Sequence, residues 1–394
     1  MDYGQARFLV SGVMPSICFV AGDPSGDAHA ARLIGALRAK DPTLTFTGLG
    51  GPAMRQAGAS LLDDLTATAA IGPFDAARHL GRFFHAKQAL EEHLRRERPE
   101  LAVLVDFGDF NLPVIAPLVK RFGIPIVYYI SPQVWAWGRW RLRFIRRHVD
   151  RMLVFFPFEE TFYRREGIPV TWVGHPLIDH AKAAMSRGEA RKACGLNPWR
   201  RTVGLLPGSR EQEIARHLPL MMRAARRIAW RMPGVQFLLP RAPSVSRQRL
   251  DALLTGSRCA VQVAEGSTYD ALQLMDGALI ASGTATLEAA LCEVPMIVVY
   301  RASWPTYLGA RLVLRIPHIA IVNILAGRRL VPEFIQHQAS PRRVAAALIE
   351  LLRNDERCEA MRQGFREIRQ QLGPPGAVER AAQTVLECLR VTVQ

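Results

Sequence analysis

Residues 280–300, IASGTATLEAALCEVPMIVVY, contain the most informative pattern of secondary structure in this chain. An apolar run ends at Ser282, Gly283 and Thr284, a periodic segment follows, and a second apolar run rich in Val and Ile begins after Pro295. This order predicts a strand, a tight turn, a helix and a second strand. A helix that begins at such a turn leaves backbone amides free to bind an anion. The stretch therefore predicts an α/β unit with an anion site.

Glu288 lies one turn further along the predicted helix. Its carboxylate can accept hydrogen bonds from two vicinal hydroxyls, such as those of a ribose, and phosphate beside ribose would indicate a nucleotide site. The alternative is an ordinary crossover of a parallel sheet, in which Glu288 only favours the positive end of the helix. Residue types alone leave both interpretations open.

Size and charge limit the classes of protein that fit. The chain has 394 residues, more than one domain core usually contains, so we expect two domains. A net charge of +16 predicts an anionic partner: nucleic acid, an anionic membrane surface or a phosphorylated substrate. The 51 Lys and Arg residues are spread along the chain without a basic arm, which disfavours nucleic acid.

The cysteines and the hydropathy pattern favour a cytosolic protein. The six cysteines form neither a C-x-x-C pair nor a zinc-site spacing, and no D-x-D pair indicates a metal. The most hydrophobic window, residues 101–119, is interrupted by Asp106 and Asp109, so we expect no membrane span. Cleavage of the signal-like start would destroy the first strand, so we interpret residues 1–15 as an N-terminal extension.

Polar side chains follow two predicted strands of the first domain. The turn after residues 16–21 contains Asp23, Ser25, Gly26 and Asp27, which can contact a ligand or simply cap the next helix.

The turn after residues 101–105 contains Asp106, Asp109 and Asn111, which can be active-site groups or a polar strand end. Its Asp-Phe-Gly resembles a kinase motif, but no other kinase signature accompanies it. These residues are the candidates for acceptor binding and base catalysis.

Two segments of the first domain mix aromatic and cationic residues. Residues 71–98 predict a loop and a long helix with an apolar stripe beside many cations, and residues 135–147 interleave Trp with Arg. Both patterns are typical of a membrane interface, but also of a helix that packs its apolar side on the core. The sequence does not separate the two.

A second α/β run begins at Thr202, after a polar segment at 177–200 that we interpret as the domain linker. The strand VGLL meets a turn formed by Gly208, Ser209 and Arg210, and a long helix follows. Arg210 and free amides at this helix start can bind a diphosphate together.

Motifs spread along the chain are similar to those of the bacterial lipid-A-disaccharide synthases. They are AGDPSGD, GGPAM, DFGDFN, SPQVWAW, GHPLID, LLPGSREQEI, SGTATLEAAL, PMIVVY and VNILAGRRLVPEFIQ, in order from residue 21 to residue 336. The resemblance implies a glycosyltransferase-B architecture, in which two Rossmann-like domains, 16–176 and 201–365, face each other across a cleft. It also implies that a C-terminal helix, 366–394, returns to the first domain.

The resemblance implies transfer, with inversion, of 2,3-diacylglucosamine from its UDP donor to the 6-hydroxyl of 2,3-diacylglucosamine 1-phosphate (lipid X). Both substrates are lipids at the cytosolic face of the bacterial inner membrane, where the protein would bind peripherally, without cofactor, metal or nucleic acid. A homodimer is one of the oligomeric states left open. The alternatives are another UDP-sugar glycosyltransferase or an epimerase of the same fold.

The family's functional residues match positions in this chain. Asp106 corresponds to the expected base, Arg210 to the arginine of the LPGSR motif and Asn323 to the asparagine before LAGR, while the turn 282–284 and Glu288 correspond to the UDP-binding segment. Asp23 and Asp75 stand where the family usually has glutamates, and Val322 replaces a common proline. A carboxylate one methylene shorter has a different reach, which puts the roles of Asp23 and Asp75 in question.

Overall fold

The computed structural model describes residues 14–66, 76–256, 259–302 and 317–393, without the side chains of 76–80, 392 and 393. The chain divides into two compact units. The first contains residues up to Pro176 together with Leu372–Gln394, and the second contains Leu177–Gln371.

The strands and helices alternate along most of the described chain. The strands are β1 Ser16–Ala21, β2 Thr45–Gly50, β3 Ser60–Asp64, β4 Leu101–Val105, β5 Ile126–Tyr129, β6 Arg151–Val154, β7 Val170–Trp172, β8 Thr202–Leu206, β9 Gln236–Pro240, β10 Val261–Ala264, β11 Gly277–Ala281, β12 Met296–Tyr300 and β13 Glu333–Ile335. The helices are α1 Pro24–Lys40, α2 Pro52–Gln56, α3 Ala76–Glu97, α4 Gly108–Phe110, α5 Ala116–Arg121, α6 Leu142–His148, α7 Pro157–Arg165, α8 Leu177–His180, α9 Arg187–Ala193, α10 Glu211–Arg231, α11 Arg247–Leu254, α12 Thr268–Leu272, α13 Thr284–Leu291, α14 Ile321–Ala326, α15 Pro341–Leu352, α16 Asp355–Gln371 and α17 Ala377–Val393. Short 3-10 or π turns occupy Asn111–Ile115, Arg139–Arg141 and Gln336–Gln338.

The first unit is built on a seven-stranded parallel sheet in the order β3-β2-β1-β4-β5-β6-β7. Every residue of β4 is buried, because helices cover both faces of the sheet, and this explains its uninterrupted apolar sequence. The strand order reverses between β1 and β4, whose registers pair Ala21 with Val105. Ligands of open α/β sheets bind at the carboxyl ends of the strands at such a reversal.

The C-terminal helix α17 belongs to the first unit. Its Ala381, Val385 and Leu389 are buried in the same apolar cluster as Leu33 and Leu37 of α1. Burying each large apolar side chain contributes about 1.5–3 kcal/mol, so the helix stabilises the first unit substantially. The return of the chain to the first domain is thus confirmed.

The second unit has a six-stranded parallel sheet in the order β10-β9-β8-β11-β12-β13. Its strand order reverses between β8 and β11, where Leu206 pairs with Ile280. The predicted strand, turn, helix and strand of residues 280–300 are confirmed as β11, α13 and β12.

Two expected boundaries differ from the structure. Residues 177–200 are not a separate linker, because α8 and α9 lie in the second unit and the amides of Ala184 and Met185 donate to the buried carboxylate of Asp270 at 2.8 and 2.9 Å. The expected end of the second domain at residue 365 falls inside α16, where Phe365 and Ile368 are buried on the same face. Tertiary contacts therefore assign both segments to the second unit.

Candidate functional site

Asp106 follows β4 at the strand reversal of the first unit. Asp106 and Phe107 adopt φ values of 46° and 49°, a region that costs a residue with a Cβ about 1–2 kcal/mol. Hydrogen bonds hold this turn: the Asp106 amide donates to Tyr129 O at 2.9 Å, and the Asp106 carbonyl accepts from Tyr128 Oη at 2.5 Å and Asn111 Nδ2 at 2.9 Å. The backbone that carries the Asp106 side chain is therefore fixed.

The surroundings of Asp106 favour its protonated form. Burial raises the pKa of Asp106 to about 6; the charges of Asp23 and Asp109 also raise it, and a backbone hydrogen bond from Phe107 opposes the rise. A carboxylate with this pKa is ionised at neutral pH and still accepts a proton readily, as a general base must.

Phe107 packs beside Asp106 in an aromatic cluster with Phe83 of α3 and Phe110. The ring centroids of Phe83 lie 6.1 Å from Phe107 and 5.1 Å from Phe110. On the other side, a Cβ on Gly22 would come within 2.1 Å of the Phe107 ring, so only glycine fits there. Phe83 consequently packs against the residue that follows Asp106 and helps to hold the turn in place.

The turn after β1 divides the predicted acceptor residues into two groups. Asp23 caps α1 by accepting from the Gly26 amide at 2.6 Å, and Ser25 is exposed in the first turn of that helix. Asp27 is 3% exposed and accepts from the amides of Gly51, Ala53 and Met54, so it caps α2. The charge of Asp23 acts on Asp106, whereas Asp27 is a structural cap.

Asn111 and Asp109 lie one turn beyond Asp106. Asn111 is completely buried, and its side-chain amide donates to carbonyls at the ends of β1 and β4 as well as to Asp106 O, so it positions the turn rather than a substrate. Asp109 is exposed and forms an ion pair with Arg141. Asp75 lies outside the described residues.

In the second unit, the turn after β8 places Arg210 at the start of α10. The Arg210 side chain is exposed, and within the described ranges it has no hydrogen-bond partner. The expectation that neighbouring amides are free is wrong for two of them: the amides of Ser209 and Arg210 donate to Glu213 Oε2 at 3.0 and 3.2 Å. Gly208, with φ of 120°, lies against the same Glu213 side chain.

The turn after β11 keeps its amides available. Gly283 is the N-cap of α13, and Thr284 and Ala285 follow in the first turn, whose amides have no intrahelical acceptor. Ser282 Oγ donates to Ile319 O at 3.1 Å and Thr286 Oγ1 donates to Gly283 O at 2.8 Å, so neither hydroxyl caps these amides. Free amides at an eight-residue helix, next to the β8 turn, suit a diphosphate.

Glu288 lies on α13 one turn inside the helix. Its Oε1 accepts from the hydroxyl of Tyr269 at 2.9 Å. Burial raises the pKa of Glu288, and the hydrogen bond from Tyr269 opposes this rise. The carboxylate keeps a second oxygen for a ligand hydroxyl, as the ribose interpretation requires.

Asn323 is positioned differently from what the resemblance implied. It is completely buried; its Nδ2 donates to Val331 O at 2.9 Å and to Glu333 Oε1 at 2.7 Å, and its Oδ1 accepts from the Val331 amide at 2.8 Å. A buried amide needs partners for its donors and its acceptor, and these three hydrogen bonds provide them. The Asn323 side chain therefore links α14 to β13. We assign Asn323 a positioning role instead of contact with the reacting atoms.

His217 is a residue of this region that the sequence did not single out. It is 2% exposed, its Nδ1 lies 3.0 Å from Pro207 O, and its Nε2 accepts from the Arg301 amide at 3.1 Å. Because Nε2 is an acceptor, Nδ1 carries the proton and donates to Pro207 O. His217 thus links the β8 turn to the end of β12. The sequence signal that could have identified it is its position on the buried side of α10, seven residues after Arg210.

Metal-ligating side chains do not cluster in the described ranges: no group of three His, Cys, Asp or Glu is arranged to hold an ion there.

Comparison with solved structures defines the fold class. The chain superposes on a UDP complex of MnaA from S. aureus with a TM-score of 0.65 at 13% identity, covering 94% of this chain and 96% of that one. It superposes on the calicheamicin glycosyltransferase CalG4 with a TM-score of 0.60 at 16% identity, covering 95% and 98%. The fold is therefore the two-domain GT-B fold.

Comparison with known sequences is more specific. The profile of the lipid-A-disaccharide synthetase family matches residues 17–387. The lipid-A-disaccharide synthases of Geobacter metallireducens and Myxococcus xanthus are 43% and 41% identical to this chain, each over 95% of it and over 97% and 98% of their own lengths. The chain belongs to the lipid-A-disaccharide synthetase family.

Proposed function

We propose that this protein is an inverting glycosyltransferase that forms the lipid A disaccharide. It moves 2,3-diacylglucosamine from its UDP donor to the 6-hydroxyl of lipid X and releases UDP. The observation that carries the proposal is the rigid turn of Asp106 at the strand reversal of the first unit, with a pKa of about 6. Identity above 40% over almost the whole length of the relatives supports the same reaction.

Asp106 is the general base in this mechanism. It takes the proton from the 6-hydroxyl of the acceptor as the oxygen attacks the anomeric carbon of the donor sugar from the face opposite UDP. Inversion follows, because a single displacement places the new bond on the face that the base serves. Proton transfer to a positioned base contributes roughly a hundredfold or more to the rate.

The second unit binds the leaving UDP. Arg210 and the amides of Thr284 and Ala285 stabilise the charge that develops on the diphosphate, and Glu288 accepts from the ribose hydroxyls. These cationic and dipolar groups take the part that a metal plays in other transferases, so the proposed reaction uses no cofactor.

We also propose that the first unit binds the anionic inner face of the inner membrane. Phe84 is 58% exposed and Trp140 is 48% exposed. Arg143 and Arg147, three and seven residues after Trp140, are also exposed. Aromatic rings and guanidinium groups both favour the boundary between headgroups and acyl chains. Every helix in the described part of the chain is too short or too polar to span a bilayer.

Product analysis tests the reaction. The protein is incubated with lipid X and either diacylated or non-acylated UDP-glucosamine, and the products are separated and weighed by mass spectrometry. We expect the disaccharide only from the diacylated donor. Equal transfer from the non-acylated donor would indicate another glycosyltransferase, and conversion of the donor to an epimer without acceptor would indicate an epimerase.

A further inference from the structure

Arg141 is a buried cation on the rim of the Asp106 site. It lies in the turn Arg139–Arg141 and is 3% exposed. Its Cζ lies 4.0 Å from the ring centroid of Trp137 and 5.1 Å from that of Trp140, and both rings are partly exposed. The guanidinium is therefore shielded from water by aromatic surface.

The hydrogen-bonding capacity of Arg141 is largely unused. Its Nη2 donates to Asp109 Oδ1, while its buried Nε has no acceptor among the described residues. A guanidinium has five donors, and leaving a buried donor without a partner is unfavourable. Arg141 consequently keeps donors for an acceptor with more oxygens than the one that Asp109 contributes.

Asp109 is an easily displaced partner. The side chain of Asp109 is 71% exposed, so water can solvate its carboxylate when the ion pair opens. Gly138, with φ of 70°, leaves space for the guanidinium, because a Cβ there would lie 2.3 Å from Arg141 Nη1. The guanidinium is held by its surroundings, and the exposed carboxylate is the half of the pair that a ligand can displace.

The pair is close to the proposed base. Asp109 is three residues beyond Asp106 and within electrostatic reach of its carboxylate. The acceptor must present its 6-hydroxyl to Asp106, and its other end carries a phosphate monoester. A buried guanidinium fork suits a phosphate, whose oxygens can accept from two of its N–H groups at once.

We propose that Arg141 binds the phosphate monoester of the acceptor and that Asp109 occupies this place when no acceptor is bound. The inference rests on the proposed function and adds a specificity-determining residue to it. Trp137 and Trp140 then line the same subsite with apolar surface, which suits a phosphorylated sugar that also carries acyl chains.

The test compares two acceptors, lipid X and the same diacylglucosamine without its phosphate, in detergent micelles. Removing a hydrogen bond to a charged group should cost roughly ten- to hundredfold in affinity. We expect Arg141→Gln to raise KM for lipid X by about this factor and to leave KM for the dephosphorylated acceptor almost unchanged. Arg141→Lys should restore part of the preference for phosphate, because it keeps the charge but loses the fork.

Two further variants complete the design. Arg147→Gln is the matched control: Arg147 is exposed in α6, six residues beyond Arg141, and its loss should affect both acceptors equally. Asp109→Asn should lower KM for lipid X alone, since it removes the competing carboxylate, and it reports on the subsite even where Arg141→Gln does not fold.

An equal increase in KM for both acceptors in Arg141→Gln would overturn the proposal, and so would a raised KM for lipid X in Asp109→Asn. Arg141 would then have only a structural role. Failure of the proposed function has a different signature, because the unmodified protein would then transfer to neither acceptor.

Discussion

The Asp106 side chain offers the most direct test of the mechanism. Asparagine has nearly the same shape and tolerates the left-handed backbone conformation, so Asp106→Asn should fold and bind UDP normally. We expect turnover to fall roughly a hundredfold or more, because the base is lost. Steady-state kinetics with calorimetric UDP binding measure both quantities. If Asp106→Asn kept near-normal turnover and Asp109→Asn lost turnover, the base would be Asp109.

The charge of Asp23 provides a pH test. After burial, Asp23 is the largest cause of the raised pKa of Asp106, and asparagine can still cap α1 through its side-chain oxygen. The unmodified enzyme should lose kcat/KM as the pH falls through about 6, because Asp106 becomes protonated. In Asp23→Asn the pKa of Asp106 decreases, so this loss should move to lower pH.

Asp41→Asn is the control for Asp23→Asn. Asp41 caps the other end of α1, about 25 Å away, where its charge has little effect on Asp106. If kcat/KM of Asp23→Asn fell at the same pH as that of the unmodified enzyme, Asp23 would not act on the base.

Arg210 is tested by its effect on both binding and turnover. Arg210→Ala should weaken UDP binding and also lower kcat, because charge accumulates on the diphosphate as the bond breaks. Arg210→Lys should recover only part of the loss. Arg227→Ala, on the same helix but about 25 Å further along, is the control. Wild-type kinetics in Arg210→Ala would exclude the residue from the site.

Among single residues, the sequence predicts Asp106, Arg210 and Glu288 as site residues from their places after predicted strands. It did not show that Asn323 is fully bonded, because its partner Glu333 lies ten residues away on another element. Nor could it show that Glu213 takes the amides of Ser209 and Arg210. Local sequence patterns show which polar groups could bind a ligand. Only the folded chain shows which of them already form hydrogen bonds within the protein.

Among the elements, α3 separates two explanations that the sequence left open. Phe83 packs on Phe107 and Phe110, whereas the adjacent Phe84 is exposed. The core interpretation is therefore correct for Phe83, and of these two rings only that of Phe84 is free to contact a membrane. Arg146 is similarly occupied, since it pairs with Glu166, which leaves Arg143 and Arg147 as the better candidates.

Vesicle sedimentation tests this assignment. Phe84→Ser combined with Arg143→Glu and Arg147→Glu should reduce binding to anionic vesicles and raise the apparent KM for vesicle-borne acceptor, with little change in melting temperature. Each arginine near an anionic surface contributes about 1 kcal/mol, and this share should decrease with salt.

Phe83→Ser is the comparison for the vesicle experiment, and it should mainly lower the melting temperature because its ring is packed against the core. If the triple variant sedimented with vesicles as well as the unmodified protein, Phe84, Arg143 and Arg147 would not form the membrane-binding surface.

The elements that the sequence missed are short. Strands such as β4 and β11 are predicted by their continuous apolar runs, whereas α8 and α9 have only four and seven residues and their sequence predicts a linker. Helices of this length are unstable alone and form only with tertiary support, here from Asp270. Their polar composition therefore gave no reliable signal.

At the scale of the whole molecule, α17 makes the first unit depend on the end of the chain. Truncation after Gln371 should expose the apolar side of α1 and lower the melting temperature of the first unit, while the second unit keeps its own transition. Scanning calorimetry resolves the two. Removing only residues 391–394, which begin with the exposed Val391, is the control and should change little. A first unit that melts normally without α17 would contradict this role.

The sequence predicted two α/β domains because strand and helix patterns alternate, but the order of strands in each sheet came only from the structure. Pairing β1 with β4 and β8 with β11 depends on contacts between distant segments, which no local pattern encodes. These pairings decide which turns lie at the strand reversal, and hence which polar residues form a site.

The return of α17 to the first unit also has a consequence for synthesis on the ribosome. About 195 residues of the second unit are made between β7 and the last helix. At 5–20 residues per second, the nascent first unit waits roughly 10 to 40 s with the apolar side of α1 uncovered. During that interval it offers a binding surface for chaperones and a risk of aggregation, and the fold is completed only when the final helix has left the exit tunnel.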